Sequence, residues 1–248
     1  MANSKVEKAA NGSGIARRFG LLALCFALVT GLLGGRPAAA AAAGGRQSFF
    51  HSVEVRSANI APFTKWRSAI ARTAREVARE QGRDCSSDGG AGCRYRELDA
   101  FVETLRNKSR RDQLIAVNAY MNARPYVTDA RNWGENDYWA TPAEFLTRSG
   151  DCEDYAIAKF FALKRLGWNA DALRVAAVKD LDRGAGHAVL IAFDGDKSWL
   201  LDNQIKQVVE TGTVRRYEPV YSINEHAWWR HRVVAPSPAT GVATASGD

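Results

Sequence analysis

No apolar run in this chain reaches the roughly 20 residues that a membrane-spanning helix needs. The longest, Phe19 to Leu33, falls short of it. Compositional extremes are missing too, which excludes collagen-like and low-complexity classes, and no internal repeat is visible, which excludes a solenoid. Cysteine and histidine are scarce, four of each in 248 residues. Acidic residues are outnumbered, 27 against 34 Lys and Arg, for a formal net charge of +7. Such an excess suggests a nucleic-acid partner only if the basic residues form a footprint on the folded domain. They do not: five of them (Lys5, Lys8, Arg17, Arg18 and Arg36) lie in residues 1–43 against one acid, Glu7, and the rest of the chain carries 29 basic and 26 acidic residues. No nucleic-acid partner is expected.

What the N-terminus does contain is the pattern of a secretory signal. Arg17-Arg18 close a basic stretch, Phe19 to Leu33 form a short apolar segment, and Ala38 to Ala43 offer small-residue cleavage sites. An uncleaved anchor is the alternative. Cys25 follows Leu24, where a lipoprotein signal wants a small residue, so it is expected to leave with the signal. Residues 1–43 are thus a signal peptide, 44–60 an extended lead-in, 61–234 a single domain and 235–248 a small-residue, Pro-containing disordered tail. After signal cleavage the chain is not an integral membrane protein.

Three cysteines remain, Cys85, Cys93 and Cys152. In an exported protein an odd count suggests one disulfide and one free thiol. Cys85 and Cys93 bracket a Gly- and Ser-rich loop and are the expected pair; two free loop thiols are the alternative, which an oxidising compartment disfavours. Cys152 is left without a partner, and in that compartment a free thiol needs a reason.

Helical periodicity dominates the first half of the domain. Phe63, Trp66, Ile70 and Val77 space a helix behind Pro62 that stops at Gln81-Gly82. Helices follow over Tyr95 to Arg106 and Arg111 to Ala123, the last closed by Pro125. Tyr126 to Ala140 is a loop rich in aromatic and oxygen-bearing side chains. Thr141-Pro142-Ala143-Glu144 is a capping box with proline at the first helical position. Gly150 then turns the chain into an apolar helix that begins at Cys152 and ends near Leu166-Gly167. Beyond it the period changes to two: Ala172 to Lys179, His187 to Phe193, Trp199 to Asp202, Val208-Val209, Glu218 to Ile223 and Trp228 to Val234 are expected strands. Helices first and an antiparallel sheet second make the class α+β.

Cys152 sits at the first turn of its helix, where the dipole and the free N–H groups favour a thiolate. Three carboxylates, Asp151, Glu153 and Asp154, oppose that. His187 is the only histidine in the middle of the chain. Asp194-Gly195 after its strand is the favoured pair for a two-residue hairpin turn, and in that register His187 faces Asp202 directly. A Gly195-Asp196 turn would shift the pairing by two and leave the two residues diagonal on one face; a three-residue loop would break the alignment. A thiol at a helix N-terminus, a histidine and an orienting carboxylate are the parts of thiol catalysis, with first-turn N–H groups to stabilise an oxyanion. Taken singly, a strand histidine is a structural residue and a buried cysteine inert packing.

Gly150-Asp151-Cys152-Glu153-Asp154-Tyr155-Ala156, His187-Ala188-Val189-Leu190, Leu201-Asp202-Asn203 and Asp137 to Leu146 together resemble the bacterial transglutaminase-like cysteine proteinases of the LapG type. The resemblance spans roughly residues 60–233. It implies a papain/transglutaminase-like core with the Cys helix packed on an antiparallel sheet, Cys152 as nucleophile, His187 as base and Asp202 as orienter. It implies a periplasmic, calcium-dependent endopeptidase that cuts a large surface adhesin near its N-terminus at an alanine pair and so releases cells from biofilm. It also implies an inner-membrane cyclic-di-GMP receptor that sequesters the protease. Calcium would reconcile the thiol with its neighbours. Asp151, Glu153 and Asp154 are hard oxygen donors of the kind Ca²⁺ prefers, Asp137 or its loop would complete the shell, and the spacing is not that of an EF-hand. Acids that merely cap the helix dipole are the simpler account of Asp151 and extend to Glu153, but they do not explain a need for three. Transglutaminase or amidase acyl transfer on the same core, and a non-catalytic calcium-binding interaction module, are the competing functions.

Overall fold

The computed structural model describes residues 48–85 and 93–233. The expected signal peptide, the C-terminal tail and the loop inside the Cys85–Cys93 pair lie outside these residues. Among the described residues no helix is long and apolar enough to cross a membrane. The chain runs β1 (Ser52–Ser57), α1 (Thr64–Gln81), α2 (Arg94–Glu103), α3 (Arg110–Asn122), α4 (Asp129–Asn132), α5 (Pro142–Arg148), α6 (Cys152–Arg165), β2 (Leu173–Asp180), β3 (Ala185–Asp194), β4 (Lys197–Leu201), β5 (Val209–Glu210), β6 (Tyr217–Ile223) and β7 (Trp228–Val233). The strands form one antiparallel sheet in the order β1-β7-β6-β2-β3-β4-β5. This is the expected α+β architecture.

α6 is the central helix because its sequence is apolar on every side: each residue from Asp154 to Leu163 is buried. A helix that is apolar all round must be enclosed, and here the other helices and the sheet enclose it. One face of the sheet carries this core, with Trp66, Leu98, Leu114, Met121, Phe145, Phe160 and Leu190 in it. The opposite face is covered by Phe49 and Phe50 packed against Val189, Ile191, Phe193 and Tyr217. The Thr141 capping box forms as expected, with Glu144 N bonded to Thr141 Oγ1 at 3.2 Å and Thr141 N to Glu144 Oε2 at 2.7 Å. Cys85 and Cys93 are disulfide-bonded, with Cα atoms 5.9 Å apart. The bridge ties the end of α1 to the start of α2.

Within the expected lead-in, Ser52–Ser57 is a paired strand: β1 lies along β7 from Ser52↔Val233 to Ser57↔Trp228. Polar groups buried behind the strand hold it there. Arg174 donates to Glu54 at 2.7 Å and lies over the Trp229 ring. His231 joins Ser52 Oγ through Nδ1 at 3.0 Å and Ser222 Oγ through Nε2 at 2.9 Å. Burial, reinforced by the Arg174 charge, pushes the His231 pKa down from 6.5 to about 4; among the described residues Glu54, 4.0 Å from Nδ1, is the carboxylate paired with it. A histidine held neutral favours the folded state above its unfolded pKa, and that contribution is lost as pH falls through the folded value. Stability to urea is therefore expected to decline between about pH 6.5 and 4, by up to about 3 kcal/mol from this residue. The pH slope over that window should shrink in His231→Gln. An unchanged slope would assign the loss to other groups.

Candidate active site

The site begins at a tight turn before α6. Ser149 has φ 63°, and Gly150 follows with no room for a side chain. A Cβ on Gly150 would lie 2.1 Å from Asp154 Oδ2 and 2.6 Å from Asp154 Cβ. Gly150 O accepts Val127 N at 2.9 Å, which draws the 126–140 loop alongside the start of α6. Asp151 is the N-cap, Cys152 the first helical residue, and Asp154 Oδ2 accepts Asp151 N at 3.2 Å.

Cys152 is the only free cysteine among the described residues. Its sulfur lies 3.1 Å from Glu153 Oε2 and donates to it. Burial, then the Glu153 and Asp151 charges, hold the thiol pKa well above its usual range, while a hydrogen bond from the backbone N–H of Ala188 works the other way. Ala188 directly follows His187, so the head of α6 abuts the start of β3 at the histidine.

His187 and Asp202 are buried and in contact, Nε2 to Oδ1 at 2.9 Å. Three further groups orient the pair. Tyr217 Oη donates to Asp202 Oδ2 at 2.6 Å, Gln204 N donates to Asp202 Oδ1 at 2.9 Å, and Asn122 Nδ2 donates to the Asp202 carbonyl at 2.7 Å. Burial opposes the Asp202 charge, but the hydrogen bond and charge of His187, with Gln204 N and Tyr217 Oη, outweigh it and hold the carboxyl below its usual range. The pair forms by a different register from the one Asp194-Gly195 predicts. β3 and β4 pair Asp194↔Lys197 through Leu190↔Leu201, so the turn residues are Gly195-Asp196. Gly195, at the first central position, has φ 63°. Only the first of the two turn residues has a positive φ, the pattern that carries glycine in first place, whereas an Asp194-Gly195 turn of the favoured kind needs a positive φ at both. His187 and Asp202 are accordingly diagonal rather than opposite.

The acids around Cys152 converge. One carboxylate oxygen each from Asp129, Asp151 and Asp154 lie within 4.8 Å of one another, and so do oxygens from Asp129, Asp137 and Glu153. Burial first, then the Asp151 and Asp137 charges, raise the pKa of Asp129 to about 6; the hydrogen bond from Tyr138 N and the Lys65 charge pull the other way. Burial and the Asp151 charge raise Glu153 to about 9. Burial, with the Asp151 and Asp129 charges and against hydrogen bonds from Ala140 N and Asp151 N, raises Asp154 to about 8. Asp129 Oδ1 and Asp151 Oδ1 are buried with no hydrogen-bond partner. Crowded oxygens, mutually repelled and partly unbonded, suit a hard divalent cation such as calcium. Asp137 is the most exposed of the set and also pairs with Lys65.

The sequence argument reached the thiol, the histidine and the other carboxylates but not Asp129, Asn122, Tyr217 or Gln204. Asp129 sits in the loop whose oxygen content stood out, but its position at the head of α4, aimed at Asp151, needs the Gly150 turn. Asp129 N bonds Asp151 Oδ2 at 3.3 Å. Nothing local marks Tyr217 or Gln204.

Residues 84–231, more than half of the chain, match the family described as bacterial transglutaminase-like cysteine proteinase. Two solved structures of LapG from Legionella pneumophila, one calcium-bound and one EGTA-treated, are each similar to this chain at 28% sequence identity and TM-score 0.53. The matches cover 64% of this chain and 87% and 86% of the LapG chains. None of the curated proteins matches the chain significantly.

Proposed function

The chain belongs to the bacterial transglutaminase-like cysteine proteinases and is a cysteine peptidase, and on that footing we propose that it is a calcium-dependent periplasmic endopeptidase with Cys152 as nucleophile, His187 as base and Asp202 as orienter. The observation that carries the assignment is the buried His187–Asp202 pair at 2.9 Å, set against the helix end that bears the free thiol. Asp202 holds the proton on Nε2, which leaves Nδ1 to take the thiol proton. The sulfur then attacks the scissile carbonyl, and first-turn N–H groups of α6 face the developing oxyanion. His187 returns the proton to the leaving amine, and water completes the cycle on the acyl-enzyme.

Asp129, Asp151, Glu153, Asp154 and Asp137 are the residues that would hold calcium, and its charge, when bound, would offset the acids that oppose the thiolate. Glu153 is the telling member, because its carboxylate otherwise takes the hydrogen bond of the thiol itself. A calcium-bound LapG supports the same ion here. The signal-like residues 1–43 and the Cys85–Cys93 disulfide support an oxidising compartment. The proposed substrate is a large surface adhesin cut near its N-terminus at an alanine pair, and the proposed regulator an inner-membrane cyclic-di-GMP receptor; both rest on the likeness to LapG-type proteases.

The test uses the chain without residues 1–43 and an alanine-rich adhesin fragment. Cleavage with a new N-terminus inside an alanine pair is expected in calcium, with loss of cleavage on alkylation of Cys152. Amine incorporation without cleavage would replace hydrolysis by acyl transfer. Full activity in chelator would remove the calcium requirement.

A further inference from the structure

Gln204 touches both halves of the His187–Asp202 pair. Its backbone N–H donates to Asp202 Oδ1 at 2.9 Å, and its side-chain nitrogen lies 3.3 Å from His187 Nδ1. At the other end of the amide, Oε1 accepts Arg216 Nη2 at 3.3 Å. The same Nη2 donates to Asp180 Oδ2 at 2.5 Å, and the buried Asp180 is anchored through Oδ1 by the N–H groups of Asp182 and Arg183. The two ends of this chain dictate its protons. Arginine only donates, so the amide oxygen faces Arg216 and the amide nitrogen faces the imidazole. An ionised Asp202 only accepts, so the ring proton is on Nε2. Nδ1 is then the unprotonated nitrogen, and it accepts from Gln204.

We propose that Gln204 is a positioning residue that parks His187 in its neutral state by occupying the Nδ1 lone pair, and that the base can take a proton only after the amide yields this nitrogen. This rests on reading Cys152 and His187 as nucleophile and base. When the proton transfers, the Sγ–H bond breaks, its electron pair stays on sulfur, and the proton takes the Nδ1 position that Gln204 had bonded. No other reactant is needed. The arrangement makes Gln204, with Arg216 and Asp180 behind it, a catch on the base that acts from the loops after β4 and before β6 and the end of β2, and not from the acid cluster.

The titratable and charged groups around the imidazole are Asp202 at Nε2, the Tyr217 ring at 5.6 Å, Arg216 beyond Gln204, Lys159 beyond Asp202, and Cys152 across Ala188. The test therefore follows His187 in a Cys152→Ala chain, where its proton comes from solvent alone. Imidazole ¹⁵N resonances are recorded against pH for that chain and for the same chain carrying Gln204→Leu or Gln204→Glu. On the alkaline side of the titration the parent should carry its single ring proton on Nε2. Loss of one donor to the neutral ring should move the His187 midpoint upward by roughly half to one pH unit in Gln204→Leu. Gln204→Glu, which keeps an acceptor for Arg216, should move it further, because a carboxylate favours the imidazolium. Midpoints that stay put in both variants, or move down, overturn the proposal. The underlying reading fails separately, if His187→Ala leaves cleavage by the calcium-loaded chain intact.

Discussion

Asp202→Asn is expected to lower kcat/KM by roughly 10³- to 10⁴-fold with the fold retained. Three donors converge on the Asp202 carboxylate: His187 Nε2, Gln204 N and Tyr217 Oη. Asparagine offers one oxygen in place of two and sets an N–H₂ group against one of these donors. Where that N–H₂ faces Nε2 the imidazole must move its proton to Nδ1, the nitrogen that must accept from the thiol, and in either amide orientation the charge that supports an imidazolium is gone. Activity falls because the base carries its proton on the wrong side. The fold survives because a buried neighbouring cation can shed its charge. Lys159 is fully buried on α6, and burial, opposed by the Asp202 charge, brings its pKa down to about 7. Without the Asp202 charge it becomes neutral instead of standing as an unpaired buried cation. Initial rates on the adhesin fragment, with circular dichroism on the same samples, test both halves. A loss of less than tenfold would remove Asp202 from the machinery.

Calcium added to the metal-free chain is expected to raise Tm by roughly 5–10 °C, since ligand at a hundredfold excess over Kd contributes about 2.7 kcal/mol and each kcal/mol moves a domain of this size by about 2–4 °C. Asp129→Asn should do two opposite things. In chelator it should raise Tm, because one charge leaves a buried set that already repels itself. The hydrogen bond from Tyr138 N to Asp129 Oδ2 survives, since an asparagine oxygen accepts it equally. In calcium it should lose most of the stabilisation, because a neutral amide oxygen binds the ion less well than a carboxylate. Thermal unfolding of both chains with calcium and with chelator reads these signs. Parallel shifts in the two chains would leave the acids as helix caps.

The features that were legible in the sequence are those decided within a few residues. A capping box is set by positions three apart, so Thr141 to Glu144 announced α5 before any partner was known. The apolar run after Cys152 fixed α6 as the enclosed helix, because a helix without a polar face has no other place to go. The free thiol and its three acids were visible as neighbours in the chain, and the odd cysteine count singled the thiol out.

Tertiary structure decided what depends on contacts between distant segments. The 44–60 stretch has too little pattern to declare a strand, and its Ser52–Ser57 part becomes one through Glu54, Ser52 and their partners 120 and 179 residues away. The β3–β4 turn turned on which residue must take a positive φ, a choice that the Asp-Gly preference alone got wrong by one position. Asp129 joined the acid cluster because the 126–140 loop is tied to the start of α6 by Val127 N on Gly150 O and Asp129 N on Asp151 Oδ2. By itself, then, the sequence singled out the free thiol, the histidine, the carboxylate and the chemical conflict around the thiol, since residue type and local spacing carry that information. Which oxygens share the conflict, and which amide sits on the free nitrogen of the base, were decided by the fold, because those contacts join loops and strands that have no common local signal.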